Sequence, residues 1–310
     1  MYYVGIDIGG TNVKAGLVDD KGKIVKTSVI ETKATRKPER VVDDIIAQVH
    51  ALAKGHKFEA IGVGCPGTIS NGGVVEYSNN LYWRKVPLGD MLKAAFNKPV
   101  YISNDANVAA LGEAKFGAGK GYSDVVMVTL GTGVGMGFVV NGKLFEGYNA
   151  MGAEGGHMVI RENGAPCTCG RRGCLEAYAS VTALIRETLS AMISDKNSLM
   201  WEFCDFDLNK VDGRTSFECA KRGDTTAQKV VDEFIKAVAE GVINIINIFR
   251  SQAIVIGGGI SAQGAYLVHP IQQMVDKYRY GGRESLPVKI LTAQLGNDAG
   301  VMGAVSLCMD

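Results

Sequence analysis

The amino-acid sequence predicts an α/β protein in which one domain design occurs twice. Two turns rich in glycine and threonine, Gly9–Thr11 and Gly131–Gly133, each join a buried apolar strand to a second strand. Setting Ile8 against Leu130, an offset of 122 residues, aligns the strands on both sides of the turn. Elsewhere, segments with a helical period of apolar residues alternate with short buried strands. These observations together indicate a duplicated domain.

The first part of the chain is predicted to contain five strands and three helices. The strands cover 2–8, 13–18, 24–30, 60–64 and 100–103, and the helices cover 39–54, 88–96 and 106–116. In the first helix, Val42, Ile45 and Val49 fall on one face, as in an amphipathic helix. Because the Gly9–Thr11 turn joins two strands and opens no helix, the Walker and Rossmann motifs are excluded.

The second part repeats the strand pair and then becomes more helical. Strands are predicted over 125–130, 134–140, 253–256 and 288–292, and helices over 177–193, 227–249 and 297–308. The aromatic segment 195–215 is expected to be irregular, as a lid or a contact surface. Glycines bunched within 112–121 suggest a hinge. We therefore expect a small N-terminal domain of residues 1–116 with 295–310, and a larger one of residues 117–294.

Composition and charge narrow the possible partners. With 33 basic and 32 acidic residues the net charge is +1 and no basic block occurs, which argues against nucleic acid as a partner. No run of about 20 apolar residues offers a membrane span, and the N-terminus lacks the features of a signal peptide. The count of seven cysteines is odd, and four of them (Cys65, Cys204, Cys219 and Cys308) are scattered, which suggests a reducing compartment. A cytoplasmic protein is the simplest expectation.

A cluster of metal-ligand side chains lies near the middle of the sequence. Three thiols and one imidazole fall within 18 residues: His157, Cys167, Cys169 and Cys174. Three Cys and one His are the ligand set of a closed tetrahedral zinc site. The alternative is three small buried residues beside a chance histidine, but three of the seven cysteines fall in one glycine-rich window of eight residues. Glu154 and Glu176 flank the cluster, and zinc would fix the distance between them.

Other ligand signals are weaker when each is taken alone. A glycine-threonine turn is more often a tight hairpin than a phosphate site, although the pair at Gly9–Thr11 and Gly131–Gly133 suggests that a phosphate binds there. Gly257–Gly259 follows a buried strand, where a flat ligand could approach the backbone. Asp105 comes directly after a strand and opens a helix. Local sequence leaves two interpretations of it open, a helix N-cap and a ligand-binding carboxylate.

Three motifs, spread over essentially the whole chain, resemble those of the ROK family of bacterial sugar kinases. They are Ile6–Thr11, Asn104–Asn107 and the stretch from Glu154 to Glu176 with its zinc ligands. The resemblance implies duplicated domains of the actin-like and hexokinase type (ribonuclease H-like), with an active-site cleft between them. Within the family, Asn80–Trp83 and Ala110–Glu113 are most similar to the corresponding segments of the bacterial glucokinases.

The resemblance also implies roles for single residues. Asp105 would be the general base that takes the proton from the 6-hydroxyl of a hexose. The groups that bind the sugar would be Gly67, Asn104, Asp105, Glu154, His157 and Glu176. Asp7 would orient Mg²⁺, and ATP would be bound by Gly9, Gly10, Thr11, Lys14, Gly131, Thr132, Gly133, Gly257, Gly258 and Gly259. His157 would serve both zinc and sugar, with one ring nitrogen for each.

Several functions remain open within and beyond this resemblance. The expectation is an ATP-dependent hexose kinase, with glucose first and N-acetylmannosamine or another hexose as the alternative. Gly155, Cys65 and the segment 195–215 depart from the glucokinase pattern, which leaves the exact sugar open. The family also contains sugar-responsive transcriptional regulators, which carry a DNA-binding module before the first strand. Because that strand begins at Tyr2 here, a regulator is the remote alternative. Family habit implies a homodimer.

Overall fold

The structure is a computed structural model that describes residues 1–309. Its strands are β1 (Tyr2–Ile8), β2 (Asn12–Asp19), β3 (Ile24–Glu31), β4 (Ile61–Cys65), β5 (Thr68–Ser70), β6 (Val74–Ser78), β7 (Trp83–Val86), β8 (Val100–Asn104), β9 (Val125–Leu130), β10 (Val134–Val140), β11 (Lys143–Phe145), β12 (Ala253–Gly257) and β13 (Lys289–Thr292). Its α-helices are α1 (Pro38–Leu52), α2 (Leu88–Phe96), α3 (Asp105–Phe116), α4 (Glu176–Ala179), α5 (Val181–Ser194), α6 (Met200–Phe203), α7 (Thr215–Lys221), α8 (Thr225–Phe249), α9 (Ala265–Tyr278) and α10 (Ala299–Ser306). The α/β prediction is confirmed.

The first sheet brings three strand ends to one edge. Its order is β3-β2-β1-β4-β8, with β1, β4 and β8 parallel to one another and β2 antiparallel to β1. The carboxyl ends of parallel strands lie at the same edge of a sheet, which is where α/β proteins bind ligands. That edge carries Asp7, Cys65 and Asn104. The predicted hairpin around Gly9–Thr11 is confirmed by the antiparallel β1–β2 pair.

The second five-stranded sheet has the order β11-β10-β9-β12-β13. The hairpin predicted around Gly131–Gly133 is confirmed, since β9 ends at Leu130 and β10 begins at Val134. A third sheet, β5-β6-β7, lies between β4 and α2, where the sequence predicted no strand. Its strands have only three to five residues, too few for an alternating pattern to stand out.

Three helical predictions need correction. The helix predicted over 177–193 is two helices, because Ser180 is extended and caps α5 by accepting from the Ala183 N–H at 3.1 Å. The segment 195–215 is not irregular throughout, since it contains α6. Within it, the indole N–H of Trp201 donates to the carbonyl oxygens of Met192 and Asp195. Helix α9 was not predicted, because Pro270 lies inside it and proline normally ends a helical pattern.

Helix α10 packs unusually close to the first sheet and to α3. A Cβ on Gly62 of β4 would meet the carbonyl oxygen of Ala304, and a Cβ on Gly303 would meet that of Val108 in α3. A Cβ on Gly112 would lie 2.8 Å from the Ala299 carbonyl oxygen. Glycines therefore set the distance between these backbones.

Replacing Gly303 by Ala should destabilise the protein. The added methyl would meet backbone, which cannot rotate away as a side chain can; overpacking of this kind costs about 1–3 kcal/mol or more. We expect a melting temperature lower by about 3–10 °C, measured by thermal unfolding. Gly259→Ala is the control, because a Cβ there meets nothing within 4 Å. An unchanged melting temperature for Gly303→Ala would contradict the packing described above.

The chain divides into two compact units. The first contains Met1–Met127, Gly137–Ala153 and the described residues from 293 on, and the second contains Val128–Met136 and Glu154–Thr292. The domain boundary expected after residue 116 and the expected cleft both stay predictions. Of the helices that the structure describes, none is both long enough and apolar enough to cross a membrane.

Candidate active site and metal centre

The first candidate site lies at the carboxyl edge of the first sheet. The parallel register sets Asp7 beside Gly64 and Cys65 beside Asn104. Asp105 follows Asn104 as the first residue of α3. Residues that are nearly a hundred positions apart in the sequence thus occupy neighbouring strand ends. The structure brings together the predicted magnesium residue and the predicted base.

Asn104, and not Asp105, is the N-cap of α3. Its Oδ1 accepts from the Ala106 N–H at 2.9 Å, and its backbone is extended as an N-cap requires. The N-cap interpretation of Asp105 was therefore wrong. The Asn104 amide also donates to the carbonyl oxygen of Gly67 at 2.9 Å. Gly67 has a φ of +109° and faces the backbone of Tyr77, so no other residue fits there.

Two carboxylates share this edge and repel each other. Burial, followed by the negative charge of Asp105, raises the pKa of Asp7 to about 6, while Lys14 acts in the opposite direction. Burial also raises the pKa of Asp105, opposed first by the backbone N–H of Ala106. The Asp105 side chain nevertheless keeps an exposed surface through which a ligand can reach it. A carboxylate with a raised pKa in an accessible place is suited to accepting a proton.

The raised pKa of Asp7 predicts a stability effect with a definite sign. The folded protein holds this proton more tightly than the unfolded chain does, so ionised Asp7 destabilises the fold, increasingly as pH rises from about 4 to 6. Asp7→Asn should therefore stabilise the protein by up to about 3 kcal/mol above pH 7, and by clearly less at pH 4.5. Denaturant unfolding without Mg²⁺ or ATP measures this. An equal gain at both pH values would contradict the assignment.

Lys14 lies opposite Asp7 in the β1–β2 register and has an acidic partner. Its Nζ donates to Asp298 Oδ1 at 2.5 Å and to the carbonyl oxygen of Asn297 at 3.0 Å. A Cβ on Gly300 would meet the Asp7 carboxylate, so this glycine gives Asp7 its space. Sequence reasoning missed Asp298 and Gly300. The signal for Asp298 was a further turn with glycine and an acidic residue, directly before the last helix, and Gly300 lies in the first turn of that helix.

Hydrogen bonds fix the first residue of the Gly9–Thr11 turn, and the other two residues are exposed to solvent. The N–H of Gly9 donates to the carbonyl oxygen of Asn12 at 2.8 Å, and the Thr32 hydroxyl donates to that of Gly9 at 2.7 Å. Gly10 and Thr11 are exposed. The exposed backbone and hydroxyl groups of such a turn can bind anionic oxygens.

In the second unit, Glu176 joins the Gly131–Gly133 turn to the cysteine loop. Its Oε2 accepts from the Val134 N–H at 3.0 Å, next to Gly133, where a Cβ would meet the same carboxylate. Its Oε1 accepts from the Thr168 hydroxyl at 3.1 Å. The turn is also tied to α5, because the Thr182 hydroxyl donates to the carbonyl oxygen of Thr132 at 2.8 Å. No local pattern indicated the link between Glu176 and the turn.

The four predicted metal ligands converge. One ligand atom from each of His157, Cys167, Cys169 and Cys174 lies within 4.8 Å of all the others. The Sγ atoms of Cys169 and Cys174 are 3.7 Å apart, and His157 Nδ1 lies 3.6 Å from Cys167 Sγ. Tetrahedral zinc, with bonds of about 2.3 Å to sulfur and about 2.0–2.1 Å to nitrogen, requires separations of about 3.8 and 3.6 Å. The donor set therefore fits zinc in both chemistry and spacing.

The remaining predicted site residues of the second unit are Glu154 and Gly257–Gly259. Glu154 is exposed and precedes a short 3₁₀ helix that ends at His157. Gly258 has a φ of +83° and approaches the backbone of Leu130, whereas a Cβ on Gly259 would meet nothing within 4 Å. Gly257–Gly259 thus lies beside the Gly131–Gly133 turn. At Gly155, a Cβ would meet the sulfur of Met136, which explains the small residue there.

The chain is similar to known proteins over nearly its whole length. The ROK family profile matches residues 3–310. A glucokinase from Thermotoga maritima is 37% identical over 306 residues, covering 98% of this chain and 96% of that protein. A glucokinase from Streptomyces coelicolor is 34% identical and covers 99% and 97%. The solved structure of a ROK family glucokinase from Streptomyces griseus, in complex with glucose and AMPPNP, is 35% identical, with a TM-score of 0.83 and 99% of both chains covered.

Proposed function

The chain belongs to the ROK family, and on that premise we propose that it is an ATP-dependent hexose kinase that phosphorylates the 6-hydroxyl of glucose. Its glucokinase relatives support the reaction, and the similar solved structure holds glucose together with a nucleotide. One observation in this chain carries the proposal. Asp105 is an accessible carboxylate with a raised pKa, at the sheet edge where α/β proteins bind ligands.

The proposed chemistry uses Asp105 as general base. A sugar hydroxyl is a poor nucleophile, and a positioned base contributes about 10²–10⁴-fold to the rate. As the hydroxyl oxygen forms its bond to the γ-phosphorus and ADP leaves, the hydroxyl proton passes to Asp105. Asn104 and Gly67, which are hydrogen-bonded to each other beside this carboxylate, would bind and orient the sugar. Glu154, His157 and Glu176 would hydrogen-bond its other hydroxyls.

The nucleotide would be bound by the glycine turns. We assign the phosphates to the exposed backbone of Gly9–Thr11 and to Gly131–Gly133, and the adenosine to Gly257–Gly259. Asp7, with Lys14 beside it, is the group that would hold Mg²⁺ delivered with ATP. Bound Mg²⁺ neutralises charge that develops on the phosphoryl oxygens. It should also favour ionised Asp7 over the protonated form that burial favours.

We further propose that His157, Cys167, Cys169 and Cys174 hold a structural zinc ion. The separations between their ligand atoms support this assignment. With Nδ1 directed at the thiols, the Nε2 of His157 is left for a sugar hydroxyl. Zinc would keep the loop in the shape that also places Glu176.

A substrate panel tests the function directly. ADP release is measured with Mg·ATP and each of glucose, mannose, N-acetylmannosamine and N-acetylglucosamine. We expect sugar-dependent release with glucose as the best acceptor. Faster turnover on N-acetylmannosamine would reassign the sugar, and no release with any sugar would overturn the kinase assignment. The homodimer and the cytoplasmic location stay predictions.

A further inference from the structure

A buried carboxylate that the proposed mechanism does not use lies at the end of the helix that begins with Asp105. Glu113 is in the last turns of α3, and its side chain is 0% exposed. Buried carboxylates need partners, since an uncompensated charge in the interior is costly. The partners of this one are backbone N–H groups.

The carboxylate of Glu113 accepts hydrogen bonds from two separate parts of the chain. Oε2 accepts from the Ala118 N–H at 2.8 Å, and Oε1 accepts from the Leu295 N–H at 2.8 Å. The Gln294 N–H lies between the two oxygens, at 2.9 Å from Oε1 and 3.2 Å from Oε2. Ala118 lies in the turn that follows α3, whereas Gln294 is 181 residues away in sequence. That second segment joins β13 to α10, just after the chain returns to the first unit. One side chain therefore ties α3 to two separate segments.

These hydrogen bonds add directional contacts to the packing around α3. Against α10, the helix is packed chiefly through glycines and small apolar groups, such as Gly112 and Gly303, with one hydrogen bond, from Lys115 Nζ to the carbonyl oxygen of Ser306 at 3.1 Å. Such apolar contacts set the distance between two helices but have no direction. Hydrogen bonds are directional, so the Glu113 carboxylate resists movement of α3 along or about its axis.

We propose that Glu113 is a positioning residue for phosphoryl transfer, which fixes α3 and thereby the place of Asp105 at the other end of the helix. Eight residues separate the two, or about 12 Å along the helix axis. Misplacement of a reacting group by about 1 Å can cost about 10²-fold in rate. The inference rests on the proposed function, because it requires Asp105 to be the base.

Glu113→Gln tests the proposal with little change in shape. An amide has one oxygen acceptor, and its NH₂ group can only donate. In either orientation the NH₂ group faces a backbone N–H, so the hydrogen bond from Ala118 or the one from Leu295 is lost. We expect kcat to fall by about 10- to 100-fold, while KM for glucose and for ATP changes by less than about threefold.

Val49→Ala is the matched control for stability. Val49 is fully buried in the core of the same unit, in α1, and its truncation should destabilise the protein without touching α3. Its kcat at a temperature where the protein is folded should stay within about twofold of wild type. If Glu113 only stabilised the fold, the kcat of Glu113→Gln would likewise stay within about twofold of wild type.

The outcomes separate the two proposals. A wild-type chain inactive on every sugar would overturn the proposed function, and this inference with it. An active wild type, with a folded Glu113→Gln variant whose kcat matches that of Val49→Ala, would overturn this inference alone. Should Glu113→Gln not fold, hydrogen exchange of the wild type decides: the amides of Ala118, Gln294 and Leu295 should exchange slowly and with one common protection factor. Unrelated protection factors would overturn the proposal.

Discussion

Replacing Asp105 by Asn should abolish most of the kinase activity while leaving sugar binding largely intact. The amide cannot accept the proton of the 6-hydroxyl, so kcat should fall by about 10²–10⁴-fold. Asn has nearly the size of Asp, so Gly67 and Asn104 should stay in place beside it. Steady-state turnover with glucose gives kcat, and calorimetric titration gives the glucose Kd.

The control for this substitution is Asp90→Asn. Asp90 is also an acidic residue in the first turn of a helix, α2, but it is exposed and lies away from the sheet edge. Any general effect of removing a negative charge at a helix N-terminus should appear in both variants, at about 0.3–1 kcal/mol of stability. If Asp105→Asn keeps kcat within about tenfold of wild type, Asp105 is not the base.

Replacing Cys174 by Ser should remove the metal and weaken sugar binding. Cys174 is fully buried, and its thiol lies 3.7 Å from that of Cys169. With one ligand lost, the loop that carries His157 and Glu176 is no longer held. We expect a zinc content well below the wild-type value of about one per chain, and a melting temperature lower by about 5–10 °C. The KM for glucose should rise by about 10–100-fold.

Cys219→Ser is the matched control, because Cys219 is equally buried but lies outside the cluster. The Cys219→Ser variant has the same free-energy cost of burying a hydroxyl in place of a thiol, but it leaves the proposed metal ligands unchanged. Its zinc content and its KM for glucose should equal those of wild type. A wild-type protein that keeps its KM and its melting temperature after the metal has been stripped by a chelator would refute the proposed role of zinc.

The two variants test opposite aspects of sugar phosphorylation. Asp105→Asn should lower kcat with little change in binding, as expected for an interaction that matters in the transition state. Cys174→Ser should act chiefly on KM, since it disturbs groups that bind the sugar before and during transfer. Because a loss of folded protein would lower the apparent kcat and leave KM unchanged, kcat is expressed per folded protein for both variants.

Several features of this protein follow from the sequence by itself. Both glycine-threonine hairpins and the α/β alternation are encoded locally, because side-chain periodicity and turn residues act over a few positions. The four proposed metal ligands could also be selected from their spacing, because all four lie within 18 residues. Asp105 could be selected as a strand-end carboxylate, although its local pattern equally fitted the N-cap role that Asn104 has taken.

Only the tertiary structure decided which distant groups meet. The parallel register of β1, β4 and β8 sets Asp7 close enough to Asp105 to raise its pKa. Folding also brings Glu176 to the Gly131–Gly133 turn and Glu113 to the segment at Gln294. The two hydrogen-bonded contacts join groups that are 42 and 181 residues apart, and they depend on how strands pair and helices pack. Local patterns carry no record of that pairing, which is set by the burial of apolar faces throughout the chain.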